Sequence, residues 1–227
     1  MSAERCSTGI KGFDSLCKEG FIKNSINLII GNAGSGKTTF LLQFLYNGSL
    51  KNENGLFISF EQEIYDLYKT GKLQGMDFEN LEKAKKCFFL KFEPDMPLKE
   101  MQKKLVKLVT QYDIKRICFD PINVLSLEIP KETNIRKQIY NFFLLIKELD
   151  SCILISAESD ESNSVQSISE SISFSKYLSD SVTELFSSGI SSSGDRALRI
   201  LKMRMTSHVR GPIGMKIDDN GIKILSN

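Results

Sequence analysis

In the first two thirds of the chain, apolar residues alternate between two kinds of pattern. Short continuous runs have the length of buried strands: Ile26, Leu28, Ile29 and Ile30, then residues 55–60, 87–92, 116–120 and 152–156. Between them lie stretches with helical spacing. Phe40, Leu41, Phe44 and Leu45 form one face, and Gly48 is the expected stop of that helix. Ile64, Leu67 and Tyr68 mark a helix over 64–72, and a shorter one is expected over 78–86. Met101, Leu105, Leu108, Val109 and Tyr112 share a face over 98–112, with Lys99, Lys103, Lys104 and Lys107 mostly on the solvated side. Ile135, Ile139, Phe142, Phe143 and Ile146 do the same over 135–149. Strands alternating with helices of this length predict an α/β fold with a mainly parallel central sheet, covered by helices on both faces.

The pattern changes after residue 159. Residues 162–175 are rich in serine and lack a clear period, so 160–180 is expected to be a mobile polar loop with room for a short helical turn. Strand-like runs follow at 182–186, 197–204, 213–217 and 222–225, with turns at 187–196, Gly211-Pro212 and 218–221. These are expected to continue the sheet as antiparallel strands. Residues 1–25 form a glycine-punctuated lead-in, and 1–227 reads as a single domain without an internal repeat.

The first strand ends in a motif. Gly31-x-x-x-x-Gly36-Lys37-Thr38 has the spacing of a phosphate-binding loop, with a strand before it and a helix after it. Glycines at 31, 34 and 36 let successive backbone N–H groups turn toward phosphate oxygens, and the helix N-terminus adds partial positive charge. Lys37 supplies a point charge, and Thr38 offers a hydroxyl to Mg2+. Residues Asn32, Ala33, Gly34, Ser35, Gly36, Lys37, Thr38 and Thr39 are therefore expected to bind a nucleoside triphosphate.

Composition narrows the setting. A net charge of +2 argues neither for nor against nucleic acid. The start of the chain opens no apolar signal segment, and the run Phe142 to Ile146 is too short to cross a bilayer. The five cysteines are scattered without metal-site spacing, so a reducing cytoplasm is expected.

In a parallel sheet, ligands sit at the carboxyl ends of the strands, which gathers Gly31, Glu61, Asp120 and Ser156-Ala157-Glu158 at one edge. Asp120 ends an apolar strand where a magnesium-organising carboxylate is expected; its competing reading is a turn starter before Pro121. Glu61 could deprotonate an attacking water, with Glu63 and Glu158 as rivals and helix capping as the plain alternative. Lys202 and Arg204 are two apart in a strand-like run and would leave from one face. On pattern alone they read as solvated strand residues near Asp195 or Asp218, and His208, the single histidine, as an exposed loop residue.

Beyond the loop, nearly the whole chain resembles the KaiC-like branch of the RecA superfamily of ATPases, particularly its single-domain archaeal members. The resemblance is carried by Ser7-Thr8-Gly9-Ile10-x-Gly12-Phe13-Asp14, by Gly34-Ser35-Gly36-Lys37-Thr38-Thr39 with Leu42-Gln43-Phe44-Leu45-Tyr46, and by Ser59-Phe60-Glu61-Gln62. Asp120 resembles the Walker B aspartate, Ser156-Ala157-Glu158 the sensor strand, and Lys202-Met203-Arg204-x-Thr206-Ser207-His208 a trans-acting Lys-x-Arg motif with its downstream histidine.

The resemblance implies a RecA-like P-loop NTPase core that hydrolyses ATP with Mg2+ and assembles as a homo-oligomeric ring, usually a hexamer, with ATP between subunits. It implies that Lys37 and Thr38 hold phosphate and magnesium, Asp120 orients the metal, and Glu61 activates water. Lys202 and Arg204 would reach a neighbour's phosphate, and His208 would contact its nucleotide. The sequence departs from the family at Gln62, where a second carboxylate is usual, at Pro121 in place of a small hydroxyl residue, and at Cys17-Lys18-Glu19-Gly20, where glycine is richer.

Three functions follow: a ring ATPase driving conformational change in a client protein, an ATP-occupied switch that hydrolyses little (like the archaellum-associated ArlH), or a RadA-like DNA-recombination accessory. For the last, residues 162–175 would line a channel, but they are poor in Lys and Arg.

Overall fold

A nine-stranded sheet organises the described part of the chain, which in this computed structural model comprises residues 3–93, 96–123, 135–158, 166–187 and 196–225. The elements, in order, are β1 (Arg5–Cys6), β2 (Phe21–Ile22), β3 (Ile26–Gly31), α1 (Lys37–Leu50), β4 (Asn54–Ser59), α2 (Ile64–Lys72), α3 (Phe78–Lys83), β5 (Cys87–Lys91) and α4 (Leu98–Tyr112). There follow β6 (Ile114–Asp120), α5 (Ile135–Lys147), β7 (Cys152–Glu158), α6 (Gln166–Leu178), β8 (Ser181–Ser187), β9 (Arg196–Met203), β10 (Ile213–Asp218) and β11 (Gly221–Ile224). Strand order across the sheet is β11-β10-β9-β8-β3-β7-β6-β4-β5, and β1 pairs with β2 apart from it. The run from β8 to β5 is parallel throughout, while β9, β10 and β11 are antiparallel.

The expected α/β architecture is present. Strand alternation splits the core into two layers. Leu28 and Ile30 of β3, Ile117 and Phe119 of β6, and Ile153 and Ile155 of β7 pack with Leu105 of α4 and with Phe142 and Ile146 of α5. Ile29, Phe57, Cys118 and Leu154 point the other way, onto Leu41, Phe44 and Leu45 of α1. α1 is buried on most of its surface, because Phe13 and Phe21 of the lead-in pack edge-to-face against its Phe40 and Phe44.

Three expectations change. α1 runs past Gly48 to Leu50, because Gly48 sits under the side chain of Arg116, where a Cβ would collide with the guanidinium stem. Residues 182–186 are not the first antiparallel strand: β8 lies parallel to β3, and the reversal begins at β9. The mobile loop proposed over 160–180 is, from 166 to 178, helix α6 packed against α5. Two buried serines bond one turn back, Ser175 Oγ donating to the Ser171 carbonyl (2.8 Å) and Ser179 Oγ, just past the helix, to that of Ser175 (2.7 Å). Ser171, Ser175 and Ser179 are all buried at four-residue spacing, a small-residue stripe with too little hydrophobicity to register as a helical face. Residues 160–165 of that expectation, and most of the turn at 187–196 including Asp195, lie outside the described residues.

Arg116 is fully buried beside β7. It donates to Glu53, to the Phe44 carbonyl (2.8 Å) and to the Ser7 carbonyl (2.9 Å), and lies over the Phe44 ring. One cation thus ties the lead-in, α1 and the sheet together.

Candidate functional site

The turn from β3 into α1 takes a tight, glycine-dependent path. Gly34 (φ +73°) and Gly36 (φ +101°) hold left-handed backbone that other residues rarely adopt. Gly36 also carries Ile217 directly against the place a Cβ would occupy. The turn opens on a cleft of about 460 Å³ at the carboxyl edge of the parallel sheet. Ala33, Gly34, Gly36, Lys37, Thr38 and Thr39 line it; Asn32 and Ser35 do not. Asn32 Nδ2 instead donates to the Ser187 carbonyl (3.0 Å), and Ser35 is fully buried beneath the turn.

Lys37 Nζ lies across the turn, donating to the carbonyls of Gly31 and Asn32 at 2.9 Å each. Burial draws its pKa below the ordinary lysine value, against the pull of Glu158, Asp120 and Glu61. Asp120, at the end of β6, is 5% exposed and accepts from Thr38 Oγ1 (2.7 Å) on one oxygen and from Ser156 Oγ on the other. Burial raises its pKa, opposed by those two hydroxyls and by Lys37.

Glu61 and Gln62 form another wall, and the turn that presents them is fixed by Ser59 Oγ donating to the Gln62 carbonyl (2.6 Å). Glu61 is exposed to the cleft, whereas Glu63 is ion-paired with Lys91 and does not line it. Glu158 lines the cleft too; its backbone N–H donates to Asn123 Oδ1 (2.7 Å), and Asn123 Nδ2 donates to its carbonyl (2.9 Å).

Arg196 was not anticipated among the site residues. It begins β9, lines the cleft and reaches the Gly34 carbonyl (3.5 Å), while its buried Nε has no hydrogen-bond partner among the described residues. Only the pairing of β9 with β8, and hence with β3, brings it to the phosphate loop. An orphaned guanidinium donor, a lysine, a glycine cradle and a hydroxyl-carboxylate pair suit a polyphosphate with a hard divalent cation. Thr38 and Asp120 are the residues fitted to hold the cation.

Lys202 and Arg204 are elsewhere. Met203 of β9 pairs with Ser181 of β8, at the amino end of the parallel strands, so the cations lie roughly 20 Å of strand away from their own cleft. Lys202 Nζ donates to the carbonyls of Lys176 (3.0 Å), Tyr177 (3.0 Å) and Ser179 (2.6 Å), capping the C-terminus of α6. Arg204 reaches the Tyr177 carbonyl (3.2 Å) and Asp180 (3.4 Å), and its side chain remains 47% exposed. His208 Nδ1 lies 3.1 Å from the Val209 carbonyl, and the residue does not line the cleft.

A phosphate-binding loop at the carboxyl edge of a parallel sheet, with a β-strand aspartate bonded to its threonine, defines a P-loop ATPase domain with a RecA-like core. The family model described as "ATPase: KaiC" matches residues 6–227, and the chain belongs to that family. The circadian clock oscillator protein KaiC of Prochlorococcus marinus subsp. pastoris is 26% identical over the whole chain, and that of a Nostoc species is 28% identical over 97% of it. The chain spans 46% and 44% of those relatives, about half their length. A crystal structure of a KaiC-like protein from the hyperthermophilic archaeon Pyrococcus horikoshii superposes with a TM-score of 0.84 at 28% identity, covering 99% of this chain and 100% of that one. Among the described residues no helix is long and apolar enough to cross a membrane.

Proposed function

We propose that the protein binds and hydrolyses ATP with Mg2+ in the cleft between β3, β4 and β6, and that each site is completed by a neighbouring copy in a ring, usually a hexamer in this family. The observation that carries the reading is the junction of Thr38, Asp120 and Lys37 beside an exposed Glu61 in one cleft. Lys37 turns from the Gly31 and Asn32 carbonyls toward the outer phosphates, and the loop N–H groups hold the inner ones. A magnesium ion held by Thr38 and Asp120 would neutralise phosphate charge. Glu61, solvated and unpaired with Lys91, takes a proton from the attacking water; Glu63 is engaged and cannot.

Lys202 and Arg204 cannot serve their own site from the far edge of the sheet. Their placement favours action on a neighbour's nucleotide, with Arg204 as the reaching group and Lys202 as its brace on α6. His208, in the segment that follows, would meet the same nucleotide. Coupling of this cycle to a client protein, in a cytoplasmic setting, is the working role.

Gln62 in the cleft wall favours a second reading, an ATP-occupied switch with little turnover. The DNA-accessory reading loses its channel loop from residue 166 onward to helix α6. Nucleotide binding and phosphate release, measured on Lys37→Ala and Glu61→Gln, separate the first two. Lys37→Ala is expected to lose ATP binding, and Glu61→Gln to keep it while turnover falls at least about a hundredfold. Unchanged turnover in Glu61→Gln sinks the base assignment. Wild-type protein that holds ATP and releases no phosphate is the switch.

A further inference from the structure

All five cysteines are free and buried, yet two of them share a cavity. Cys6 of β1 and Cys152 at the start of β7 both line a polar pocket of about 370 Å³ at the amino edge of the sheet, opposite the nucleotide cleft. Strand pairing and a buried arginine bring them together. Cys6 pairs with Phe21 across β1–β2, and Cys152 Sγ lies 3.9 Å from the carbonyl of the adjacent Ile22. Cys152 pairs with Arg116 across β6–β7, and Arg116 in turn holds the carbonyl of Ser7, the residue after Cys6. Both thiols thus face one space, and each is the largest influence on the other's acidity.

We propose that Cys6 and Cys152 are a redox pair, oxidised by a hydroperoxide entering this cavity to an intramolecular disulfide that ties β1 to β7. The Cys6 thiolate attacks one peroxide oxygen; the O–O bond breaks, hydroxide (or alkoxide) leaves and takes a proton, and Cys6 becomes a sulfenic acid. The Cys152 thiol then attacks that sulfur, the S–O bond breaks, and water leaves with the thiol proton. Two thiols are oxidised and one peroxide is reduced.

The order of attack follows from the surroundings. Cys152, and after it the buried Arg116 guanidinium, hold the Cys6 thiol below its ordinary pKa against the effect of burial. Cys6 in turn, with burial, pushes Cys152 well above it. Burial pushes Cys17 and Cys87 up to about 12.

The bond would act on more than β1. Arg5, next to Cys6, donates to Thr206 Oγ1 at 2.8 Å, so the lead-in strand holds the segment that follows Arg204.

The test uses the whole reduced protein: brief treatment with hydrogen peroxide, alkylation with N-ethylmaleimide under denaturing conditions, and mass spectrometry of an unreduced digest. A Cys6–Cys152 linked peptide, reversed by dithiothreitol, with Cys17, Cys87 and Cys118 alkylated, is expected. Persistence of both thiols, or linkage of the other cysteines at the same rate, overturns the proposal. Cys152→Ser should stop at a dimedone-trappable sulfenic acid on Cys6. Should Cys6→Ser leave Cys152 oxidising at the wild-type rate, the pair is refuted. Hydrogen exchange of residues 5–22 should slow several-fold on oxidation of wild type, a readout that needs no variant, and an unchanged rate would count against the tie between β1 and β7.

Discussion

Asp120 holds a carboxylate where water is almost excluded, and that is costly without a cation. Because burial raises its pKa in the fold, the metal-free native state binds this proton more tightly than the unfolded chain does. Stability therefore declines as pH rises through the interval between the unfolded and folded values, and the loss persists above it. Asp120→Asn is expected to raise the thermal midpoint at neutral pH in EDTA, with the gap to wild type closing below the ordinary aspartate range. The same variant loses turnover. Calorimetry at two pH values checks it, and a lower midpoint for Asp120→Asn at neutral pH would contradict the account.

Arg196 belongs to the same scale. If its orphaned Nε and its Nη2 near Gly34 serve phosphate, Arg196→Ala weakens ATP binding about tenfold by titration calorimetry, the loss of one charge-assisted contact. Arg204→Ala should leave that Kd unchanged in unassembled protein. The motif around Gly36 exposed Lys37 and Thr38 to view because their chemistry is local. Arg196 was invisible because its partners are 160 residues upstream, across a strand pairing.

At the level of elements, helix α6 shows what periodicity misses. Ser171, Ser175 and Ser179 are buried one turn apart, so that stripe is small, not greasy, and the hydroxyls of Ser175 and Ser179 are spent on carbonyls one turn back. Ser175→Ala should be close to neutral in urea unfolding. Ser175→Leu should cost about 1–3 kcal/mol, since the fully buried site has no room for the bulkier isobutyl group. Gly48 teaches the converse. A glycine two positions short of the helix's end reads as its stop, but the tertiary partner Arg116 needs the space. Helices α2 and α4, with strongly amphipathic faces, began and ended where the apolar spacing put them.

For the molecule as a whole, the decisive geometry is the separation of two edges. Lys37, Thr38, Glu61, Asp120 and Arg196 meet at the carboxyl edge; Lys202, Arg204 and the Cys6–Cys152 pair sit at the amino edge. If Arg204 acts on a neighbour, its role must be visible in mixtures. Arg204→Ala and Glu61→Gln, each nearly inactive alone, should recover about a quarter of wild-type phosphate release per subunit when assembled at equal ratio, because random heterologous pairing rebuilds that share of the sites. No recovery from mixed rings would remove the trans role.

The sequence by itself determined the α/β class, the glycine turn between β3 and α1, and the carboxylates at strand ends, since each depends on spacing within a few residues. Only the tertiary structure decided that Lys202 and Arg204 stand at the far edge, that Arg196 enters the cleft, and that two cysteines 146 positions apart share a cavity. Those facts follow from which strands pair and in which direction, and pairing across the chain is set by burial of whole faces, which no local pattern records.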